Sequence, residues 1–419
     1  MPPTNRTPLL GNGRGNNGHS RRLSYKERIV SIFSIPEDQP GWTRSYKFFF
    51  FGSWLNILLV FVPLSFVSHH LDWDAALRFS FSFIAIMPLA KLLGVATDQL
   101  SLKLGQTLSG LLNASFGNAV EIIVGVAALL QGELRIVQTS LLGSILSNLL
   151  LVLGCSFFAG GLKYPESNFQ VTAAQNATSL MTLACITLVI PAAYFMSQTV
   201  DEGGFHLFTK AVQPGAIEEH YKSGLLIISR GTAILLLFVY AAYLVFQLKT
   251  HAFLFQAREG EEEVEELEMT PVAAGTALLM VTVVTSFAAD YLVASIEETA
   301  ERYGIPKPFI GLILLPLVAN AAEHFTSVWM AMKNKMELTI GICVGSSIQI
   351  AAFVIPLLVI VGWVTGHDLT LFFANFETVT LFVSVLLVNM LIQDGKSNYM
   401  EGLMLITLYL VVALSFWVS

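Results

Sequence analysis

Asn118 and Glu121 stand three residues apart in an apolar stretch, and Asn320 and Glu323 repeat that spacing 202 residues later. Residues three apart are neighbours on a helix surface, so each pair shares a face. Brought together, the four side chains offer two carboxylates and two amide oxygens. These are hard donors, suited to Ca²⁺, Mg²⁺ or Mn²⁺ and not to soft metals. No cysteine lies in either motif; Cys155, Cys185 and Cys343 all sit in apolar runs and read as buried thiols. Ca²⁺ takes about 6–8 oxygens, so four side chains leave its shell incomplete. The same offset carries Leu142-Gly143-Ser144 onto Val344-Gly345-Ser346. Ser144, Ser346 and Gln349 are candidates for further oxygens, beside backbone carbonyls freed where helices break. Gly117, Gly143, Gly345 and Pro316 mark places for such breaks or for close helix approach.

A lone carboxylate in a membrane span can be satisfied by a neighbouring hydroxyl and serve packing alone. A duplicated Asn/Glu pair needs more reason, because each charge is costly in hydrocarbon. Two such carboxylates left bare would repel one another and lose their hydration. They are neutralised either by protons or by one divalent ion, and mutually exclusive occupancy of one site is the basis of exchange. His324, next to Glu323, either shuttles protons or makes a plain hydrogen bond. Asp98 and Glu297 lie near span ends and read first as solvated interfacial groups, while Asp290 lies deeper; each is also placed to line a water path, with Asp98 joining Glu121, Glu323 and His324 as a proton-coupling candidate.

The elements that must position these residues are membrane helices. Over 419 residues, 54% are hydrophobic and only 13% charged, about half the charged share of a soluble chain. A bilayer core of about 30 Å needs about 20 apolar helical residues. Eleven such runs are present: Phe48–Val67, Ala75–Val95, Thr107–Leu130, Ile136–Gly160, Thr172–Met196, Leu225–Gln247, Pro271–Ile296, Pro308–Met332, Leu338–Trp363, Leu369–Ile392 and Gly402–Val418. The expected fold is an all-α polytopic membrane protein. Equivalent motifs lie five spans apart, an odd number, so the two repeats cross the bilayer in opposite directions. Such inverted repeats place their ligand at the repeat interface near the midplane. The expected organisation is a tail over 1–47, a leading helix over 48–67, a first five-helix repeat over 75–247, a linker over 248–270 and a second repeat over 271–418.

The tail carries Arg6, Arg14, Arg21, Arg22, Lys26, Arg28, Arg44 and Lys47, with no cleavable signal. Placed in the cytosol, it puts Lys103, Lys163, Lys249, Arg258, Lys333, Lys335 and Lys396 on its own side. The opposite side receives Arg135, Lys210, Lys222, Arg302 and Lys307. That bias follows the positive-inside rule and sends the C-terminus away from the cytosol. The linker holds Glu259, Glu261, Glu262, Glu263, Glu265, Glu266 and Glu268. Such a charge run is commonly a solvated segment. Residues 257–269 also suit an amphipathic helix with Val264 and Leu267 toward the membrane, its charge concentrating cations near a cytosolic mouth.

Gly-Asn-Ala-Val-Glu at 117–121 and Asn-Ala-Ala-Glu-His at 320–324 resemble the two signature motifs of the Ca²⁺/cation antiporter superfamily. They are most similar to those of the vacuolar Ca²⁺/H⁺ exchangers of fungi and plants, the fungal members above all. Leu111 to Phe116, Arg135 to Gln138, Ser147 to Leu150 and Phe376-Glu377 extend the likeness, which runs from the first span to the C-terminus. The resemblance implies the sodium/calcium exchanger-like fold. It implies that Glu121 and Glu323 bind Ca²⁺ and trade it for protons, that motif Asn, Ser and Gln residues assist, and that Glu259 to Glu268 form a regulatory acidic helix. Two departures stand out: Ala319 where the second motif usually opens with Gly, and Asp98-Gln99 where two acids are usual.

The expected function is secondary antiport of cytosolic Ca²⁺ into an acidic vacuole against protons, with no cofactor and with Mn²⁺ as a further substrate. Na⁺/Ca²⁺ exchange and Mn²⁺/H⁺ exchange on the same architecture are the rivals. Acids and bases balance outside the linker, which gives nucleic acid no electrostatic footprint. No His-Glu-x-x-His motif and no phosphate-binding Gly-x-x-x-x-Gly-Lys loop occurs, so neither a zinc protease nor an ATP-driven pump is indicated.

Overall fold

A computed structural model of the chain describes residues 40–104, 106–201, 214–251 and 266–418. Its helices are α1 (Trp42–Phe51), α2 (Trp54–His70), α3 (Ala75–Leu104), α4 (Gln106–Phe116), α5 (Ala119–Leu130), α6 (Leu134–Lys163) and α7 (Val171–Asp201). There follow α8 (Pro214–Val245), α9 (Pro271–Tyr303), α10 (Lys307–Ala319), α11 (Ala321–Met332), α12 (Met336–Thr365), α13 (Asn375–Ile392) and α14 (Tyr399–Trp417). Among the described residues, eight helices are long and apolar enough to cross a membrane, and α1–α2 and α10–α11 each reach that measure as a bent pair. That makes up to ten spans against the expected eleven; in the third expected span, α4–α5 is interrupted and α5 alone is a shorter apolar helix.

The leading span is not the single straight helix expected over 48–67. It turns by 85° at Gly52-Ser53, so α1 runs across the axis of α2. Asn56 fastens the corner by donating to the Phe49 and Phe50 carbonyls at 3.0 and 2.9 Å. The tenth span also begins late. Residues 369–374 are non-helical, because Gln138 donates to the Thr370 carbonyl at 2.9 Å and the Leu371 amide donates to Ser229 at 3.0 Å. Arg135 pairs with buried Glu377, whose other oxygen accepts from the Ala374 amide at 3.1 Å, tying the start of α6 to α13.

The core lies where the repeats meet. α6 and α12 are the most enclosed spans, 83% and 67% buried over their apolar windows, against 28% for α8 and α14. α3 and α9 pack along one another, and α5 and α6 pack side by side. Both central spans contain a π-helical turn, Ser147–Val152 in α6 and Ile350–Val354 in α12. A π turn adds a residue to the helix and is frequent at functional sites. The small β-ladder joins Ser167 to Ser397 and Asn168 to Lys396, linking the ends of α6 and α13.

Of the expected linker helix, residues 252–265, with Glu259 to Glu265, lie outside the described residues. Residues 266–269 are not helical. The reason is Gln99: its oxygen accepts from the Glu268 and Met269 amides at 2.8 and 2.9 Å, and its amide donates to the Glu266 carbonyl at 3.2 Å. Glu268 meets Arg44 at 3.2 Å.

Candidate ion-exchange site

Spans three and eight both break at their motif asparagine. Asn118 (φ −111°, ψ 33°) separates α4 from α5, and Asn320 (φ −87°, ψ 8°) separates α10 from α11 with a bend of 58°. Asparagine side chains compete for backbone partners and ease departure from helix. Ala319, where the related motif has Gly, does not prevent the break, which falls on the residue after it. Each break places a glutamate in the first turn of the following half-helix, Glu121 in α5 and Glu323 in α11. Helix N-termini carry positive partial charge and unpaired N–H groups, which favour a carboxylate there.

The two carboxylates line one cavity of about 490 Å³, and they lie within electrostatic reach of each other. Asn113, Gly117, Gly345, Ser346 and Gln349 share its wall. Lys91, Asp98 and Gln247 line it toward the end of the bundle that holds the linker. Beyond Glu121 the space contracts to a void of about 20 Å³, walled by Ile86, Val124, Leu141, Leu292, Leu315 and Val318, with Ser140 and Ser144 on its edge. That is room for about one water. The site is reached from the linker end and shut from the other.

A hydrogen-bond chain crosses the repeat interface. Ser346 Oγ donates to Asn118 Oδ1 at 2.9 Å, and Asn118 Nδ2 donates to Gln349 Oε1 at 2.5 Å. Asn320 Nδ2 donates to the Ser144 carbonyl at 3.2 Å. Asn148, not singled out from the sequence as a ligand, donates to Glu323 Oε2 at 2.9 Å and to Ser346 Oγ at 3.0 Å. The Oδ1 atoms of Asn148 and Asn320 are buried with no hydrogen-bond partner. A buried polar atom in that state costs about 1–3 kcal/mol, which a cation or water can relieve. Among the described residues no three His, Cys, Asp or Glu side chains gather around one point. The donors on offer are two carboxylates with amide and hydroxyl oxygens, a set for a hard divalent ion.

Most of the expected residues thus converge: Glu121, Glu323, Asn118, Asn320, Ser346 and Gln349 meet, with Ser144 at the closed edge. Asp98 stands exposed toward the mouth. His324 does not join them. It lines a separate, apolar groove of about 350 Å³ with Cys155, Phe325 and Trp329.

A lipid-embedded bundle with paired carboxylates at broken helices, open at one end, is the architecture of a secondary cation transporter. The chain belongs to the sodium/calcium exchanger protein family, whose profile matches residues 74–249 and 274–418. It is 43% identical over 413 residues to a vacuolar calcium ion transporter of Schizosaccharomyces pombe, covering 98% of this chain and 92% of that one. It is 44% identical over 416 residues to vacuolar cation/proton exchanger 2 of Oryza sativa subsp. japonica, covering 96% and 91%. Among solved structures it is similar to native YfkE, with TM-score 0.71, 35% identity and coverage of 87% of this chain and 100% of that one. A selenium-substituted form of YfkE is described as a Ca²⁺/H⁺ antiporter.

Proposed function

We propose that the chain is a Ca²⁺/H⁺ antiporter of an acidic vacuole, loading Ca²⁺ from the cytosol and returning protons. The observation that carries this is the meeting of Glu121 and Glu323, each in the first turn of a half-helix, in one cavity open at the linker end. With the tail and linker in the cytosol and the C-terminus in the lumen, that opening faces the cytosol. Ca²⁺ enters past Asp98 and sits between the two carboxylates. Oxygens of Asn118, Asn320, Ser346, Gln349, Ser144 and Asn148 complete its shell. Loading displaces the protons that otherwise keep the carboxylates neutral, and the reverse trade occurs once the site faces the lumen. Mn²⁺ suits the same oxygen set. The fungal and rice relatives, both named as vacuolar transporters, support the compartment, and the rice protein supports the proton as counter-ion.

The test is uptake into proteoliposomes. An imposed pH gradient, acid inside, should drive Ca²⁺ accumulation that a protonophore abolishes and Na⁺ replacement leaves unchanged. Uptake that follows Na⁺ and ignores the protonophore would instead establish the Na⁺/Ca²⁺ reading.

A further inference from the structure

We propose that Gln131 and Asp290 form a one-sided latch that holds the site open at the linker end. Gln131 caps the C-terminus of α5, the half-helix whose first turn carries Glu121. Its Nε2 donates to Asp290 Oδ1 at 2.7 Å and to the Asp290 carbonyl at 3.2 Å. Asp290 is on α9, two residues from Leu292, which helps wall off the small void beyond Glu121. On α5, Val124 lies two turns before Gln131 and walls the same void. The latch therefore ties together α5 and α9, the two helices that supply Val124 and Leu292 to the apolar seal. α9 is gripped from behind at the next residue, where Tyr291 stacks on His69 at 4.0 Å and takes Phe66 edge-on at 5.2 Å.

The repeat shows why this contact favours one state. The 202-residue offset that relates the two motifs carries Gln131 onto Lys333 and Asp290 onto Pro88. A proline side chain has neither donor nor acceptor. The mirror-image conformation, sealed at the linker end, cannot form the equivalent side-chain bond, the shorter of the two that Gln131 makes. An interaction present in one of two states shifts their populations by its own strength. Apparent affinity then changes with the fraction of molecules in the competent state. Gln131 and Asp290 are positioning residues: they touch no ion and act through α5 and α9.

The experiment places a cysteine at Thr326, which lines the open cavity, and follows its labelling by a membrane-impermeant maleimide from the linker side. Asp290→Ala and Gln131→Ala should slow labelling and raise the KM for Ca²⁺ from that side by about 3–10-fold with turnover retained. Asp290→Asn keeps an Oδ1 acceptor and should restore both readings. Gln131→Glu, which sets two carboxylates face to face, should give the largest change. If Asp290→Ala fails to reach the membrane, Gln131→Ala alters only an exposed cap residue and carries the same expectation. Labelling unchanged in Gln131→Ala, or Asp290→Asn behaving as Asp290→Ala, would overturn the latch. Only the KM arm rests on the Ca²⁺/H⁺ reading; labelling reports the latch whatever ion is carried.

Discussion

Gly143 and Gly345 occupy equivalent places in the two repeats, each before a serine of the site, yet their surroundings are opposite. A methyl group on Gly143 would collide with the Leu312 carbonyl and the Pro316 ring, whereas one on Gly345 would meet open space. The first contact, α6 against α10, belongs to the closed side. The second, on α12, opens into the cavity. At these motif positions the repeat is symmetric in sequence and asymmetric in conformation. That difference is what alternating access requires, because swapping the two environments would open the far end and close the near one.

The comparison can be broken most severely at the carboxylates. Glu121→Gln or Glu323→Gln should each lower proton-driven Ca²⁺ uptake by about 100-fold or more, since removing one charge of a buried ion-holding pair costs about 3–5 kcal/mol. Uptake near wild type in either variant would mean that the repeats do not share the ion. Next comes the glycine pair. Gly143→Ala should cost about 1–3 kcal/mol of stability through overpacking, read as a lower thermal midpoint in detergent. Gly345→Ala should leave that midpoint unchanged and slow turnover, because its methyl obstructs only the swapped state. A third measurement probes the part of the site that has no mirror image. Asn148→Ala should raise the KM for Ca²⁺ by about 10-fold through loss of a charge-assisted bond to Glu323, with folding retained. The smallest effect belongs to the surface: Arg44→Ala removes an exposed pair with Glu268 and should change stability by less than about 1 kcal/mol.

The internal repeat explains what was readable in advance. One offset aligned Asn118 with Asn320, Glu121 with Glu323 and Ser144 with Ser346, and the fold brings these together. The same offset hid Asn148, because it maps onto apolar Ile350. A different signal was present: Asn148 is four residues after Ser144, hence on the same helical face. His324 was misleading for the converse reason. Adjacent residues on a helix point about 100° apart, so a neighbour of Glu323 faces a different groove. Span ends were poorly legible where backbone polar groups found side-chain partners. Residues 369–374 are as apolar as a helix, but Gln138 and Ser229 take up their backbone groups and keep them out of the helix. The corner at Gly52-Ser53 likewise depends on Asn56, whose bonds cross six and seven residues. Gln99 stood out in the sequence only as a missing acid, while its bonds to residues 266–269 are made across 167–170 positions.

Proton release on Ca²⁺ binding tests the shared-site claim most directly. Purified protein in weakly buffered detergent, with a pH dye present, should acidify the solution when Ca²⁺ is added, and the Glu121→Gln/Glu323→Gln double variant should not. Ca²⁺ bound with no release of protons across the pH range of transport would show that the two ions do not compete for these carboxylates.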